Sequence, residues 1–187
     1  MSGIGAAASG AAASALPVWQ PVYLGVGSNL YDPRAQVLKA MQMLRELPPA
    51  TTRLIAISQL YGSKPFGPVA QADFVNAAVG LLTRLTPLQF LEVTQGIERA
   101  LGRPEQHEHW GPRIIDLDVL VFGREQRQEP ALTLPHPGIV ERNWVLYPLA
   151  DIAPSLDIPK LGRVAALKSS MASEGLWSLD PAVRAAR

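Results

Sequence analysis

Two aspartates separated by a single residue are the feature of this sequence that most clearly indicates chemistry. Asp116 and Asp118 lie within an apolar run, and Arg113 comes shortly before them. If the run forms a strand, both carboxylates face the same side, because side chains alternate along a strand. Adjacent carboxylates raise each other's pKa unless a cation lies between them, and Mg²⁺ prefers such hard oxygen ligands. The pair therefore predicts a magnesium site; the alternative is a solvated strand face whose two acids bind nothing.

Side chains that could bind phosphate occur near this pair and further along the chain. Arg113 could neutralise phosphate oxygens beside a metal ion, although a salt bridge with one aspartate explains it nearly as well. His136, between two prolines, could be a fixed donor to phosphate, whereas His107 and His109 are typical of an exposed loop. No two histidines have the spacing of a helical zinc site, and the chain has no cysteine. These residue types favour phosphoryl transfer, in which positioning and electrostatics dominate.

Two aromatic residues far apart in sequence could bind a planar ring. Phe74 and Trp144 have the core as their default location, but paired across a pocket they could hold a heterocycle by stacking. Asn76 would face the same side of its strand as Phe74, and its amide can both donate and accept at a heterocycle edge.

The glycine-rich stretch from Gly25 to Asn29 resembles a phosphate-binding loop only superficially. It lacks the Lys-Ser/Thr ending of a P-loop and the third glycine of a dinucleotide-binding fingerprint. We expect instead a tight turn between a strand and a helix, with the Asn29 side chain bonded to the backbone.

Hydrophobic periodicity predicts the strands and helices that must hold these residues. Apolar runs indicate four strands, at about 22–27, 54–61, 74–85 and 115–122. Helices are expected after the capping pairs Asp32-Pro33 and Thr86-Pro87, with a short one near 143–150. The order β-α-β-β-α-β is typical of an α+β, ferredoxin-like core, an antiparallel sheet flanked by helices that pack on one face.

The composition is that of a globular protein. The chain has 187 residues, of which 48% are hydrophobic and 18% are charged, and its formal net charge is +1. This charge argues against nucleic acid as a partner, including the RNA bound by modules of similar strand order, which need a basic face. No apolar run approaches the roughly 20 residues that span a bilayer, so no membrane partner is expected. The lack of cysteine is consistent with a reducing compartment, and we predict the cytoplasm.

Three segments are predicted along the chain. Residues 1–17 are rich in Ala, Gly and Ser and lack the positive start and large apolar core of a secretory signal, so we predict a disordered tail, with an export signal as the alternative. Residues 18–168 form the single predicted domain. Residues 169–187 have little pattern and are expected to form a loose or docked C-terminal tail.

Several motifs together carry a family resemblance over about residues 22–154. The most specific is the block from Trp110 to Leu120, and the others are Tyr23 to Leu30, Phe66 to Pro68, Asp73 to Val79, Leu101 to Arg103, Leu134 to Pro137 and Tyr147 to Leu149. In these motifs the chain resembles the 6-hydroxymethyl-7,8-dihydropterin pyrophosphokinases of folate biosynthesis.

The resemblance implies that a monomer transfers the pyrophosphoryl group of ATP to the hydroxymethyl group of a reduced pterin and releases AMP. It implies that Asp116 and Asp118 hold two Mg²⁺ ions, and that Arg103 and Arg113 are catalytic, one of them on a mobile loop. The implied pterin contacts are Ser63, Phe66, Phe74, Asn76, Trp110 and Trp144. The implied ATP contacts are Gln95, Glu98, Trp110, Arg113, Val119, Thr133, His136 and Arg142.

The sequence departs from the family pattern in four places. Glu105 occupies a position where many members have a second loop arginine, and Ala131 replaces another arginine that can contact phosphate. Phe74 stands where tyrosine is common, and Gly62-Ser63-Lys64 replaces the usual Arg-Thr-x. The first two departures lower the expected number of phosphate contacts. The alternative to an enzyme is a catalytically silent module that binds a nucleotide or a pterin, and the retained aspartate pair argues against it.

Overall fold

A six-stranded antiparallel sheet forms the centre of the molecule, for which the computed structural model describes residues 17–104 and 111–179. The strands and helices are β1 (Gln20–Ser28), α1 (Pro33–Arg45), β2 (Thr52–Ile57), β3 (Tyr61–Ser63), β4 (Phe74–Thr83), α2 (Pro87–Ala100), β5 (Asp116–Phe122), β6 (Arg127–Glu129), β7 (Leu132–Leu134), α3 (Asn143–Ile152), β8 (Asp157–Ile158), β9 (Gly162–Arg163), α4 (Val164–Ser169) and β10 (Leu176–Ser178). The strand order is β10-β3-β4-β1-β5, and β2 also pairs with β4. Strand β1 is therefore an interior strand, bonded on both sides.

Helices α1 and α2 cover one face of the sheet. The Asp32 side chain caps α1 by accepting the N–H of Ala35, and Thr86 and Gln89 form a capping box at the start of α2. Their apolar stripes pack against alternate residues of the strands and form the larger core. Its fully buried members include Val22, Leu24, Val37, Leu44, Val79 and Phe90.

Helix α3 covers part of the opposite face. Buried Ala78, Leu120 and Leu146 belong to a second core, against which Tyr23 packs. Because the central strands carry apolar residues on both sides, the second face also has to be shielded from water. The expectation that all helices pack on one face is therefore wrong, while the antiparallel sheet and the ferredoxin-like element order are confirmed.

Two local expectations from the sequence are wrong. The strand expected at 54–61 is two strands, β2 and β3, that pair with different parts of β4. Between them Ser58 donates its N–H to the Ala78 carbonyl and accepts the Ala78 N–H at Oγ, which continues the bonding of β4. The turn expected at Gly25 and Gly27 is also absent, because both glycines lie inside β1 and pair with β4 and β5.

The chain after α3 returns to the sheet. Strands β8 and β9 form a small hairpin, α4 follows, and β10 then pairs with β3 at the sheet edge. Part of the segment expected as a C-terminal tail thus belongs to the main sheet, while residues 1–16 and 180–187 lie outside the described residues. The three-segment division of the chain stays a prediction. No helix within the described residues combines the length and apolar character required to cross a membrane.

Candidate active site

Two rows of residues across the sheet form the floor of the site. The strand register places Asp116 opposite Gly27, and Gly27 opposite Asn76 of β4. In the next row Asp118 lies opposite Gly25. The glycines leave this face open, since a Cβ atom on Gly27 would lie 3.3 Å from Oδ1 of Asn76. A cavity forms here beside the first turn of α3; it is lined by both aspartates, both glycines, Phe74, Asn76, Arg142 and Trp144, among others.

Two arginines hold Asp116. Arg103 donates from Nη1 to Oδ1 of Asp116 at 2.5 Å, and Arg113 donates from Nη1 to Oδ2. The same Arg103 nitrogen also donates to Glu98. Glu98 is buried and accepts the backbone N–H of Leu117 at 2.7 Å, so α2 is connected directly to the strand that carries the aspartates. In this structure Arg113 therefore forms the salt bridge with an aspartate that the sequence analysis gave as its alternative role.

The charge of Asp118 is poorly compensated by its neighbours. Burial raises its pKa to about 7, repulsion from Asp116 adds to the effect, and Arg113 and Arg142 oppose it only partly. Burial likewise raises the pKa of Glu98, although Arg103 favours the ionised form. Burial acts to lower the pKa of Arg103, but Asp116 and Glu98 outweigh it and the net pKa is raised. A cation bound at Asp118 would therefore relieve unfavourable charge.

The residues present fit a magnesium ion. Asp116 and Asp118 offer hard carboxylate oxygens on one face, and a bound cation would oppose the burial and the Asp116 charge that raise the pKa of Asp118. Within the described ranges no group of three or more His, Asp or Glu side chains could hold a metal. Two carboxylates are nevertheless enough for Mg²⁺, which usually completes its octahedron with water and phosphate oxygens.

An aromatic cavity adjoins the aspartates. The rings of Phe66 and Trp144 have centroids 5.6 Å apart at an interplanar angle of 47°. Phe74 and Trp144 line the same cavity, as the sequence predicted for a ring-binding pair, together with Ser63, Lys64, Phe66, Gln71, Gly111, Arg113, Asp116 and Arg142. Asn76 is buried, lines the cavity at the aspartates, and donates from Nδ2 to Oγ of Ser63, a residue of the aromatic cavity, at 2.9 Å. Asp116 therefore lines both cavities, and Arg113, which donates to Asp116, lines the aromatic one.

Asn29 joins three segments of the site, a role that the sequence analysis missed. Its Nδ2 donates to Gln71 Oε1 at 2.9 Å and to the Ala72 carbonyl at 3.2 Å. Its Oδ1 accepts the N–H of Arg113 at 2.7 Å. A bond from the side chain to the backbone was expected, but within a local turn. The partners lie more than forty residues away, and no local pattern in the sequence indicates them.

A second groove contains the predicted nucleotide residues Thr133 and His136. Burial lowers the pKa of His136, and the positive charge of Arg142 adds to this effect. Its Nδ1 accepts the N–H of Gly138 at 3.0 Å, so the neutral imidazole carries its proton on Nε2 and can donate from there. The buried Nε atom of Arg142 has no hydrogen-bond partner within the described part of the chain, which leaves a donor for an anion.

The remaining predicted nucleotide residues are less closely grouped. Gln95 is exposed, whereas Glu98, one turn later, is buried against β5, so the two side chains do not share one surface. Val119 is 3% exposed and belongs to the core, which leaves only its backbone for a ligand. Trp110 and Glu105 lie outside the described residues, as does most of the predicted mobile loop.

Comparisons with known proteins agree with this geometry. A family model described as 7,8-dihydro-6-hydroxymethylpterin-pyrophosphokinase (HPPK) matches residues 23–154. The 2-amino-4-hydroxy-6-hydroxymethyldihydropteridine pyrophosphokinase of Pseudomonas aeruginosa is 43% identical over 163 residues, 87% of this chain and 99% of the relative. The Haemophilus influenzae protein of the same name is 37% identical over 159 residues, 85% of this chain and 98% of the relative.

Solved structures share the fold. The wild-type Plasmodium falciparum HPPK-DHPS with pterin and p-hydroxybenzoate matches 83% of this chain with a TM-score of 0.63 and 17% identity. The same protein with pteroate gives a TM-score of 0.64 at 16% identity. This chain spans 42% of the length of either structure. With the family model matched over most of its length and relatives this similar, the chain belongs to the 7,8-dihydro-6-hydroxymethylpterin-pyrophosphokinase family.

Proposed function

We propose that the aspartate pair and the aromatic cavity form one active site for pyrophosphoryl transfer. The chain is an ATP-dependent pyrophosphokinase that converts 6-hydroxymethyl-7,8-dihydropterin to its diphosphate and releases AMP, a step of folate biosynthesis. One observation carries the assignment of the site: Arg113, Asp116 and Arg142 line a cavity whose opposite side is aromatic. A planar substrate bound there would have its reacting group beside the carboxylates.

At the polar end, Asp116 and Asp118 would hold Mg²⁺, with two ions as our expectation. When bound, the metal would neutralise phosphate oxygens and polarise the phosphorus that is attacked. Arg103 and Arg113 now engage Asp116, and they would exchange this carboxylate for phosphate oxygens as the site fills. Glu98 keeps a bond to Arg103 and to Leu117, so it can hold the guanidinium near the site during that exchange.

At the apolar end, Phe74 and Trp144 would stack on the two faces of the pterin, and Phe66 would close one side. Asn76 would hydrogen-bond the ring edge, oriented by its bond to Ser63. Trp110 is proposed as a further contact to both substrates. The substrate hydroxyl would attack the β-phosphorus, the bond from that phosphorus to the oxygen bridging to the α-phosphate would break, and AMP would leave. The hydroxyl proton would be released to solvent.

The groove with Thr133 and His136 is proposed to hold the nucleoside end of ATP, with His136 Nε2 and Arg142 as donors to phosphate. Arg142 borders the aromatic cavity, so it can bridge the two substrates. Gln95 and the backbone of Val119 are proposed as peripheral contacts. ATP bound in this groove would direct its triphosphate towards the aspartate pair.

The proposal is tested by AMP release from ATP with and without 6-hydroxymethyl-7,8-dihydropterin, first in Mg²⁺ and then in EDTA. We expect AMP only when pterin and metal are both present, and loss of turnover in Asp116→Ala with the fold intact. The matched control is Asp157→Ala, an exposed aspartate on β8. AMP release that does not depend on pterin would contradict the assignment, and no AMP under any condition would favour a silent binding module.

We further propose that the protein is a monomer that acts in the cytoplasm. The cytoplasm holds the ATP that the reaction consumes, and the residues of one chain line the whole proposed pterin cavity. Light scattering of the purified chain, in the presence and absence of ATP, would report a dimer if the proposal were incorrect.

A further inference from the structure

We propose that the C-terminal segment 171–178 fixes the distance between the two walls of the pterin cavity, and that Trp177 is its positioning residue. The segment lies beyond residues 23–154, where the family model matches. The inference rests on the proposed pterin site, since it concerns the same cavity. One wall of that cavity follows β3 and carries Ser63 and Phe66, and the other is the start of α3 with Trp144.

The segment is bonded to the first wall along its whole final strand. Strand β10 pairs with β3 so that Leu176 lies opposite Ser63 and Trp177 opposite Gly62. The N–H of Lys64 donates to the Gly175 carbonyl at 3.0 Å, which extends the pairing to the first residue after β3. Ser63 is the partner of Asn76, so the C-terminal strand supports the residue that orients the proposed ring-edge contact.

The same segment is bonded to the second wall. Asn143 donates from Nδ2 to the carbonyls of Ala172, at 3.0 Å, and Glu174, at 2.9 Å. One turn further along α3, Tyr147 donates from its hydroxyl to the Met171 carbonyl at 3.0 Å. Asn143 lies between Arg142 and Trp144, both of which line the cavity. Seven residues of chain, from 172 to 178, therefore join the α3 wall to the β3 wall.

Trp177 packs against Gly62 of β3. Its indole lies directly on Gly62: a Cβ atom there would come within 2.2 Å of the ring. Two residues after Gly62, Lys64 Nζ lies 5.6 Å from the centroid of the same ring and also bonds Asp73 at 3.0 Å. Lys64 and Asp73 bracket the loop that holds Phe66, and Asp73 precedes Phe74. The Trp177 indole therefore supports the ion pair that closes this loop, which carries Phe66 and leads into Phe74.

The partial exposure of Trp177 distinguishes a positioning role from a role in core packing. Its side chain remains 38% exposed, so the ring covers a sheet edge and contributes only part of its surface to burial. A residue that acted through stability alone would weaken both substrates' binding together when removed. Removing a residue that sets the geometry of one cavity should weaken pterin binding and spare ATP, because this segment is bonded to Ser63, Lys64 and Asn143, none of which lines the nucleotide groove.

The test compares Trp177→Ala with Trp19→Ala in the full-length chain. Trp19 is a matched control, because its ring also packs under cations, Arg53 at 4.7 Å and Arg84 at 4.6 Å, and it lines neither cavity of the site. We expect Trp177→Ala to raise the KM for pterin about tenfold, as small misplacements of binding groups do, with the KM for ATP changed less than about twofold. Trp19→Ala should leave both KM values near those of the wild type.

A second variant keeps the test decisive if Trp177→Ala folds poorly. Gly62→Ala introduces the clashing Cβ and should raise the pterin KM by itself, whereas in the Trp177→Ala background it should add no further increase. Equal increases in both KM values, or no increase, would overturn the inference. Phe74→Ala separates the two proposals. If Phe74→Ala leaves pterin binding unchanged, the proposed pterin site itself is refuted. If Phe74→Ala weakens pterin binding and Trp177→Ala has no effect, only the positioning role of Trp177 is refuted.

Discussion

Replacing Asp118 with asparagine should increase the free energy of unfolding of the metal-free protein at pH 8. Burial and the charge of Asp116 raise the pKa of Asp118 from its ordinary 3.8 to about 7 in the folded chain. One pKa unit corresponds to about 1.4 kcal/mol, so keeping this carboxylate ionised in the folded state costs at most about 4 kcal/mol. Asparagine has almost the same shape and no charge. We expect a gain of about 2–4 kcal/mol, because relaxation of neighbouring charges reduces the limit.

The sign of the pH dependence follows from the direction of the pKa change. A raised folded-state pKa means that the folded protein binds the proton more tightly than the unfolded chain does. Stability from Asp118 is therefore fully present below pH 3.8 and is lost as the pH rises towards about 7. The advantage of Asp118→Asn over the wild type should be small near pH 4, grow between pH 4 and 7, and remain constant above that.

Urea unfolding followed by circular dichroism in EDTA, at pH 4, 6 and 8, measures this difference directly. Asp157→Asn serves as the control, since it removes an exposed aspartate away from the site. Adding Mg²⁺ at pH 8 should stabilise the wild type and have little effect on Asp118→Asn, because one of the two proposed carboxylate ligands is gone. An Asp118→Asn gain that is the same at all three pH values, or no gain at pH 8, would refute the electrostatic account of this site.

Three further outcomes follow from the geometry. Gly27→Ala should weaken pterin binding several-fold and spare the binding of ATP, because the new methyl would lie 3.3 Å from the Asn76 amide oxygen. Calorimetric titrations with the pterin and with a non-hydrolysable ATP analogue measure both affinities, and equal losses would contradict this prediction. Asn29→Ala should lower the free energy of unfolding by about 1–3 kcal/mol, since it leaves the Arg113 N–H without its acceptor. A smaller loss in denaturant titrations would show that water replaces the Asn29 side chain as the acceptor. Burial lowers the pKa of His136, so the wild type should lose stability relative to His136→Gln as the pH falls below 6.5. A stability difference between the two proteins that stays constant from pH 8 to pH 5 would exclude this effect of His136 protonation.

The sequence predicted those features of the fold that depend on local signals. The capping residues Asp32 and Thr86 mark the starts of α1 and α2 because their side chains bond N–H groups only three residues away. Asp116 and Asp118 could be placed on one face because strand side chains alternate with a period of two. The split of the second strand was not predictable in this way, since Ser58 is bonded to Ala78 in another strand.

The features that were missed depend on partners far away in sequence. A Gly-x-Gly at the end of an apolar run is typical of a turn, and only the pairing of β1 with both β4 and β5 shows that it is strand. The three residues of β10 are too few to show a periodicity, and they form a strand because β3 offers a free edge. The aromatic pair could be proposed from residue type, but the contact of Phe66 with Trp144 required the folded chain.

Several residues that weaken the interior of the fold lie together beside the site. Gly25 and Gly27 weaken a central strand, Asp118 carries poorly compensated charge, and Arg142 has a buried Nε atom without a partner among the described residues. Each departure costs stability, and each lies where the sheet face is left open beside the first turn of α3. A ligand with phosphate oxygens, metal ions and a planar ring would compensate them together: cations for the carboxylates, an acceptor for Arg142, and a ring over the glycines. Such a cluster of local costs is expected at a site shaped for binding, and for this reason neutralising Asp118 should stabilise the fold while it removes a proposed metal ligand.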